Sequence, residues 1–423
     1  ETGFEPAFLL IKKTNTSGYN WNIFDNKRDT TNPNEQFLEA DTSDAEATGR
    51  GVKFLSNGFE LFGTSQSVNN SSGTYLYWAI AADPSTASTP VVTNAFDVVT
   101  YTGTSAEQDI LTDTNPDFIW IKNRSNTANH YLIDTVRGKG TSTFKFISSD
   151  SNGQENSTTT NHVTSINSNG FTTQGSDSGT NTNNNNYVAF LWSAGSHEGL
   201  LPTINTQGTI DSTVSVNDLA GFSIVKYTGN GTDGATVGHG QSNRPDLIFT
   251  KNLDETKDWN VKEFTSMTND RDRLELNENF AVFTASSGGG FIKSTSNTNT
   301  ITLGDSTRVN ENGKAHIMYC FREISGYSKI GTYSMSTNNA VTVDVGFAPR
   351  FVLLKEIDRA ASWVIVDSQR KLSGNYVARI FPNQNVQQSG GQQIQISGNT
   401  FQINWGSTGN NDNNGTGIYF AIK

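Results

Sequence analysis

The feature that most constrains the fold is one phrase that occurs four times along the chain. It reads "PAFLLIKKTNTSGYNWNIFDNKR" at 6–28, "PDFIWIKNRSNTANHYLIDTVR" at 116–137, "PDLIFTKNLDETKDWNVKEF" at 245–264 and "PRFVLLKEIDRAASWVIVDSQR" at 349–370. Each copy starts with a proline, reaches a lysine six residues later, and continues to a tryptophan or histidine and then to an acid. Because this order of unlike residues recurs, the chain is predicted to consist of internal repeats, which must be recognised before a fold is assigned.

The segments around the phrase also recur and set the boundaries of the repeats. Opening strands such as "FDVVTYTG" and "FSIVKYTG" precede it, and closing strands such as "TYLYWAIA" and "TGIYFAIK" follow it. We predict an incomplete repeat 1 at 1–82, a linker at 83–94, repeat 2 at 95–193, a linker at 194–220, repeat 3 at 221–324 and repeat 4 at 325–423. Repeat 1 has no opening strand, so we expect the sequence to be part of a longer chain. Either one repeat or a pair of repeats can be the folding domain.

The local pattern predicts an all-β protein. The apolar runs are short, rich in Val, Ile, Phe, Tyr and Thr, and separated by clusters of Asn, Gly, Ser and Thr, which is typical of strands joined by turns. We therefore expect tandem antiparallel β-sandwich repeats of about 100 residues, with a jelly-roll or lectin-like arrangement.

The strand that follows each proline is apolar on both faces, as "FIWI" and "FVLL" show. A sandwich strand with one face in solvent should alternate apolar and polar residues instead. We expect one face to fill the core of its own repeat, and the other to be covered by long loops, a neighbouring repeat or another chain.

The recurring polar and aromatic positions are predicted to support the framework of each repeat. The members of this set are Trp21, Trp259, Trp363, and the acid–x–x–arginine pairs Asp25/Arg28, Asp134/Arg137 and Asp367/Arg370. His130 takes the tryptophan position in repeat 2, and Glu263 has no arginine after it. An acid beside a guanidinium could instead grip a polar ligand or serve acid–base chemistry, but every copy of a fold needs its framework, whereas an enzyme rarely needs three identical sites. The recurring lysines are expected to end a buried strand with the charged head reaching solvent.

Composition narrows the function classes. With 30 Lys and Arg against 41 Asp and Glu, the formal net charge of −11 argues against nucleic-acid binding. No apolar run is long enough for a membrane span, and the single cysteine excludes a disulfide within the chain. "GNGTDG" at 229–234 matches a dinucleotide-binding glycine pattern, but a strand-like segment follows it where a helix is needed, so a hairpin turn is expected. We predict no catalytic, cofactor or metal site.

Ligand binding, if present, is expected in the loops that differ most between repeats. These loops are 41–51, 148–162, 285–299 and 383–393, since variable loops on a rigid scaffold commonly carry recognition. Trp405 stands where the other repeats have no tryptophan and is the candidate for stacking on a sugar; the alternative is a core aromatic.

Several phrases make the sequence similar to the repeated β-domains of bacteriophage tail fibres and other virion structural proteins, particularly those of marine phages. They are "GFSIVKYTGNGTDGATVGHGQSNRPDLIFTKN", "GYSKIGTY", "GFAPRFVLLKEIDRAASWVIVD", "SNGFEL" and "NSSGTYLYWAIA". The resemblance covers nearly the whole chain except the connector at 193–220. It implies a structural or host-attachment role and transfers no catalytic residue.

These observations together predict a non-enzymatic virion protein, a tail fibre or similar appendage that is made in the host cytoplasm and carried on the particle. Expected partners are other virion proteins, a glycan or protein on the host surface, and further copies of the chain, with the trimer favoured by resemblance to fibres. The alternatives are a carbohydrate-binding adhesin, a polysaccharide depolymerase or a capsid decoration protein.

Overall fold

A computed structural model describes the chain except residues 1, 3, 30, 56–57, 82–93, 141, 157–160, 196–201, 289, 336–339, 392 and 405–414. The chain divides into two compact units, an N-terminal unit at Glu1–Val91 and a C-terminal unit at Val92–Lys423. Nearly all regular structure is antiparallel β-sheet, so the predicted all-β class is confirmed. The division lies within the predicted linker 83–94, of which only Asn94 is among the described residues.

The N-terminal unit, which contains repeat 1, is built on a six-stranded antiparallel sheet. Its strand order is β5-β4-β3-β2-β1-β6, and its strands are β1 Pro6–Lys13, β2 Asn22–Asp25, β3 Asn34–Glu39, β4 Ala47–Leu55, β5 Gly58–Phe62 and β6 Tyr75–Ala81. One face of this sheet closes over a small core that includes Leu9, Ile11 and Phe24.

In the C-terminal unit, repeats 2, 3 and 4 each form one large sheet with smaller sheets beside it. Repeat 2 has β7 Phe96–Thr102, β8 Gln108–Leu111, β9 Phe118–Asn123, β10 Tyr131–Asp134, β11 Phe146–Ile147, β12 Val163–Asn167, β13 Gly170–Thr173 and β14 Asn186–Trp192. Repeat 3, with the connector before it, has β15 Thr203–Asn205, β16 Ser212–Asn217, β17 Phe222–Thr228, β18 Thr236–Gly238, β19 Leu247–Asn252, β20 Asn260–Glu263, β21 Asp272–Arg273, β22 Phe283–Thr284, β23 Thr300–Thr302, the one-turn helix α1 Thr307–Asn310 and β24 Ala315–Phe321. Repeat 4 has β25 Ser328–Met335, β26 Val341–Asp344, β27 Phe351–Glu356, β28 Val364–Asp367, β29 Ile394–Ser397, β30 Thr400–Ile403 and β31 Gly415–Ile422.

The three large sheets share one strand order. The opening strand pairs with the closing strand, which pairs with the strand after the recurring proline, which pairs with the strand after the tryptophan position. This order is β7-β14-β9-β10 in repeat 2, β17-β24-β19-β20 in repeat 3 and β25-β31-β27-β28 in repeat 4. In the N-terminal unit β6-β1-β2 follows the same order without an opening strand, and β6 lies at the edge of the described sheet.

The predicted linker at 194–220 is wrong as a structural assignment. It contains β15 and β16, and β16 pairs along its whole length with β17, from Ser212 opposite Tyr227 to Asn217 opposite Phe222. The alternating sequence "STVSVN" indicates a strand. The linker was predicted instead because the segment has no aromatic residue. The segment at 229–234 is a loop, but it joins β17 to β18, which belong to different sheets, so the expected hairpin is also wrong.

Each large sheet of the C-terminal unit buries both faces. One face packs into a core of its own repeat. The other packs into a single aromatic-rich cluster to which repeats 2, 3 and 4 all contribute. The residues of β9, β19 and β27 are buried almost without exception. Of the three covers expected for the second face, the structure therefore shows neighbouring repeats of the same chain.

The only helix among the described residues is the four-residue α1, and no described helix is long and apolar enough to cross a bilayer.

Candidate functional site

The shared core is closed by one hydrogen bond that is made three times, once from each repeat to the preceding repeat in the cycle. The ring N–H of Trp259 donates to the carbonyl of Ser148 at 2.9 Å, which joins repeat 3 to repeat 2. The ring N–H of Trp363 donates to the carbonyl of Glu275 at 2.8 Å, which joins repeat 4 to repeat 3. His130 completes the cycle, with Nε2 lying 3.0 Å from the Phe381 carbonyl and so joining repeat 2 to repeat 4.

The protonation of His130 follows from its contacts. Its Nδ1 accepts a hydrogen bond from the ring N–H of Trp120 at 2.9 Å, so the proton of the neutral ring lies on Nε2 and points at the neighbouring carbonyl. Burial lowers the pKa of His130 well below its usual value, so the ring is neutral. A histidine in this tautomer supplies the same N–H donor as the indole that stands here in repeats 3 and 4.

Backbone hydrogen bonds repeat the same cycle beside the rings. The amide two residues before each ring donates to the preceding neighbour: Ala128 to Asn385, Lys257 to Asn152 and Ala361 to Asn279. In return, the neighbours donate to the strand ends: Gln388 to Arg124, Glu155 to Leu253 and Val282 to Ile357. Each of repeats 2, 3 and 4 thus has two different junction surfaces: a donor surface around its own ring, and an acceptor surface around the carbonyl that accepts from a neighbouring ring. Such a head-to-tail contact closes into a ring when its rotation allows.

Three recurring lysines lie inside these junctions. Lys122 and Lys251 have no exposed surface and Lys355 has 1%. Nζ of Lys122 donates to the carbonyls of Ala128 at 2.7 Å and Asn385 at 3.0 Å, the second of which belongs to repeat 4. The expectation that these heads reach solvent is wrong, because the neighbouring repeat covers them and backbone carbonyls replace water.

Burial lowers the pKa of Lys122, Lys251 and Lys355 to about 8 from the ordinary lysine value of 10.5. Between these two values the unfolded chain binds protons that the folded chain has released, so stability contributed by these groups increases as pH rises from 8 to 10.

We expect the free energy of unfolding of the wild type, relative to that of Lys355→Met, to increase by about 1–2 kcal/mol between pH 8 and pH 10, since the variant has no group to titrate there. Urea denaturation at a series of pH values measures this difference, and Lys122→Met should behave in the same way. A difference independent of pH for both variants would contradict the lowered lysine pKa values.

The acid–x–x–arginine pairs occupy one position in each repeat that has them. The Arg137 Nε and Asp134 carboxylate are 2.5 Å apart, as are the Arg370 Nε and Asp367 carboxylate, and all four side chains are fully buried. Although burial disfavours its charge, the Asp134 carboxylate raises the pKa of Arg137. In repeat 3, where the arginine is missing, the Glu263 carboxylate accepts hydrogen bonds from the Thr265 and Ser266 amides and the Ser266 hydroxyl.

The N-terminal unit contains the same residues in a more open setting. Trp21 is half-buried, and the Asp25 and Arg28 side chains, 2.5 Å apart, keep 18% and 27% of their surface. Trp405, the predicted sugar-stacking residue, lies outside the described residues.

One residue that sequence comparison does not single out also joins two repeats. The Tyr319 hydroxyl of repeat 3 donates to the Asp134 carboxylate of repeat 2 at 2.7 Å. The matching positions are Phe190 and Phe420, so the aromatic ring was recognisable in the sequence but the role of its hydroxyl was not.

A polar groove of about 500 Å³ lies among the loops of repeat 3 and includes part of the candidate loop 285–299. Its wall contains Asp233, Asp270, Arg271 and Lys293. Lys293 pairs with Asp233 at 2.7 Å, and Asp270 accepts hydrogen bonds from the Ser294 amide and hydroxyl at 2.7 and 2.6 Å. Burial opposes the charge of Asp270, but these bonds and nearby lysines lower its pKa. Carboxylates and a cation in an open groove can bind the hydroxyl groups of a sugar.

Within the described part of the chain, no group of three or more His, Cys, Asp or Glu residues is placed to hold a metal ion. The recurring polar residues lie in contacts within and between repeats. Of the candidate loops, 148–162 and 383–393 supply residues to the junctions between repeats, whereas the described residues of 285–299 lie beside the open polar groove.

Comparison with known proteins places this arrangement in a family. The model of a domain of unknown function, DUF7483, matches residues 1–84 and 92–423. The chain belongs to the DUF7483 family. The match covers both compact units, and no curated protein is similar to the chain. The description of this family names no activity.

Proposed function

We propose that the protein is a non-enzymatic structural component of a virion, a tail fibre or similar appendage that attaches the particle to the host surface. The observation that carries this proposal is the use of the recurring polar residues: the Trp259, Trp363 and His130 rings, and the buried Lys122 and Lys355, each reach a backbone carbonyl of a neighbouring repeat. Residues that recur for such contacts make a rigid body, which is what an appendage requires. The resemblance of the repeated phrases to phage fibre domains supports a location on the virus particle.

In this proposal the scaffold holds the loops outward for contact with a glycan or protein on the host surface, and several chains assemble into a homo-oligomer with other virion proteins as neighbours. Binding energy for a surface glycan is gained by presenting many weak sites together, since linked sites raise the effective concentration of the second contact.

The proposal is tested by mass spectrometry of phage particles purified from a host that carries this gene. The expected result is the protein in intact particles, at a fixed ratio to the major capsid protein. Its absence from particles, with abundant protein in the lysate, would contradict the virion assignment.

The polar groove favours a second candidate, a carbohydrate-binding adhesin or depolymerase. We expect any glycan recognised through this groove to bind less tightly to Lys293→Gln by about 10- to 100-fold, because a lost hydrogen bond to a charged group costs about 1.5–3 kcal/mol. A glycan array with the wild type, Lys293→Gln and the control Lys329→Gln in repeat 4 measures this. Equal binding by all three proteins would place recognition elsewhere, and shortening of a bound polysaccharide would favour the depolymerase.

A further inference from the structure

The N-terminal unit exposes an apolar face that its own core does not need. The face consists of six side chains on β1, β2 and β6: Phe8, Leu10, Ile23, Leu76, Trp78 and Ile80. Leu76, Trp78 and Ile80 are 55%, 63% and 46% exposed. Large apolar residues grouped on one sheet face are uncommon on a soluble monomer and mark an interaction surface.

Each residue of this face has a counterpart in the C-terminal unit at the same place in the strand pairing. In the N-terminal unit Phe8 lies opposite Ile80, Leu10 opposite both Trp78 and Ile23, and Lys12 opposite Leu76. The equivalent pairings recur in every repeat of the C-terminal unit: Phe118–Trp192, Trp120–Phe190, Trp120–Leu132 and Lys122–Val188 in repeat 2; Leu247–Phe321, Phe249–Tyr319, Phe249–Val261 and Lys251–Ile317 in repeat 3; Phe351–Ile422, Leu353–Phe420, Leu353–Ile365 and Lys355–Ile418 in repeat 4.

The counterparts of the exposed face are the residues that hold the three repeats together. All six from each repeat belong to the shared core, and none is more than 4% exposed. The same register of the same kind of side chain is thus buried in the three repeats of the C-terminal unit and exposed in the N-terminal unit.

The N-terminal unit also contains residues equivalent to those that form the polar contacts at the junctions of the C-terminal unit. The Trp21 amide donates to the Asp41 carboxylate at 3.0 Å, as the amides of Trp259 and Trp363 donate to Asn277 and Asn383. Arg28 pairs with Glu46, as Arg137 pairs with Glu155. The donor surface around Trp21 and the acceptor surface around Glu39, two residues before Asp41, are both present. A single copy with both surfaces cannot use them on itself.

We propose that the N-terminal units of three chains close into a ring through this face, so that a homotrimer reproduces between chains the ring that repeats 2, 3 and 4 form within one chain. The donor and acceptor surfaces differ, so the contact is head-to-tail, and the number of members that closes it is three in the C-terminal unit. Phe118 of repeat 2 lies over Tyr319 of repeat 3, with ring centroids 4.3 Å apart. By position, Phe8 of one chain packs on Trp78 of the next, and the Trp21 ring N–H of that next chain donates back to the Glu39 carbonyl of the first.

This inference specifies the oligomer expected of an appendage, but it depends on contacts within the chain and not on the virion assignment. If the protein is absent from particles, the virion assignment fails and the trimer proposal stands. If the protein is present in particles as a monomer, only the trimer proposal fails.

Sedimentation velocity of the full chain at micromolar concentration tests the proposal. The expected wild-type species is about 138 kDa, three times the 46.0 kDa of the chain. Trp78→Glu should sediment as a folded monomer, because Trp78 is 63% exposed within its own unit and a charge there is buried only by assembly. Leu111→Glu is the matched control, since Leu111 is 64% exposed on β8 of the C-terminal unit, and it should remain a trimer.

Circular dichroism of each variant shows whether its sheets are retained, and Ile80→Glu provides an independent change in the same face. A monomeric or dimeric wild type would overturn the proposal. Trimers that persist in both folded Trp78→Glu and folded Ile80→Glu would also overturn it, because assembly would then use another surface.

Discussion

Replacing Trp363 by alanine is expected to lower the free energy of unfolding of the C-terminal unit by about 3–5 kcal/mol, the usual cost of deleting a buried large aromatic side chain. The indole is 1% exposed, lies in the core shared by three repeats, and donates its ring N–H to Glu275 of the neighbouring repeat. The variant leaves a cavity and removes one of the two hydrogen bonds that the Glu275 carbonyl accepts, the other coming from the Glu278 amide.

Chemical denaturation of the full chain measures this loss, with unfolding monitored by a signal that comes from the C-terminal unit. Trp363→Phe separates the two contributions, because it keeps most of the apolar volume and removes only the donor; its expected cost is about 1–2 kcal/mol. A loss below about 1 kcal/mol for the alanine variant would mean that the tryptophan position does not hold the repeats together.

The second large effect is expected from Arg370→Met, which should cost about 3–5 kcal/mol because it leaves the carboxylate of Asp367 buried without its partner. Both side chains are fully buried, and the Arg370 Nε is 2.5 Å from the carboxylate. The double variant Asp367→Asn/Arg370→Met removes both charges, so it should be less destabilised than the single variant and should keep any ligand binding by distant loops.

Arg359→Met is the matched control for this experiment. Arg359 pairs with Glu356 at the same three-residue spacing in the same repeat, but its side chain keeps 34% of its surface. Its expected cost is below about 1 kcal/mol, as for other exposed ion pairs. A double variant that kept its melting temperature but lost all ligand binding would instead assign the Asp367–Arg370 pair to recognition.

The short apolar runs and the turn residues between them were enough to predict an all-β chain, and the recurrence of one phrase indicated the places of its main strands. Strand period and turn residues are local properties, and the apolar character of both faces of "FIWI" and "FVLL" showed that the second face needs a cover. The same locality explains the failure at 194–220, where β16 joins the sheet of repeat 3 through a short alternating run without aromatics. It also explains why the burial of the recurring lysines was not predicted, since a lysine side chain can end either in solvent or against buried carbonyls.

Tertiary structure alone decided what covers that second face and which atoms close the ring. The acceptors are backbone carbonyls of Ser148, Glu275 and Phe381, three residues with nothing in common as side chains. Every residue has such a carbonyl, so its role leaves no mark in the sequence and depends only on where the chain brings it. The closing contact between His130 and Phe381 joins positions 251 residues apart. The pattern of side chains in the sequence therefore determined the fold of each repeat. Only the positions of the repeats in space determined that three of them pack together as one body.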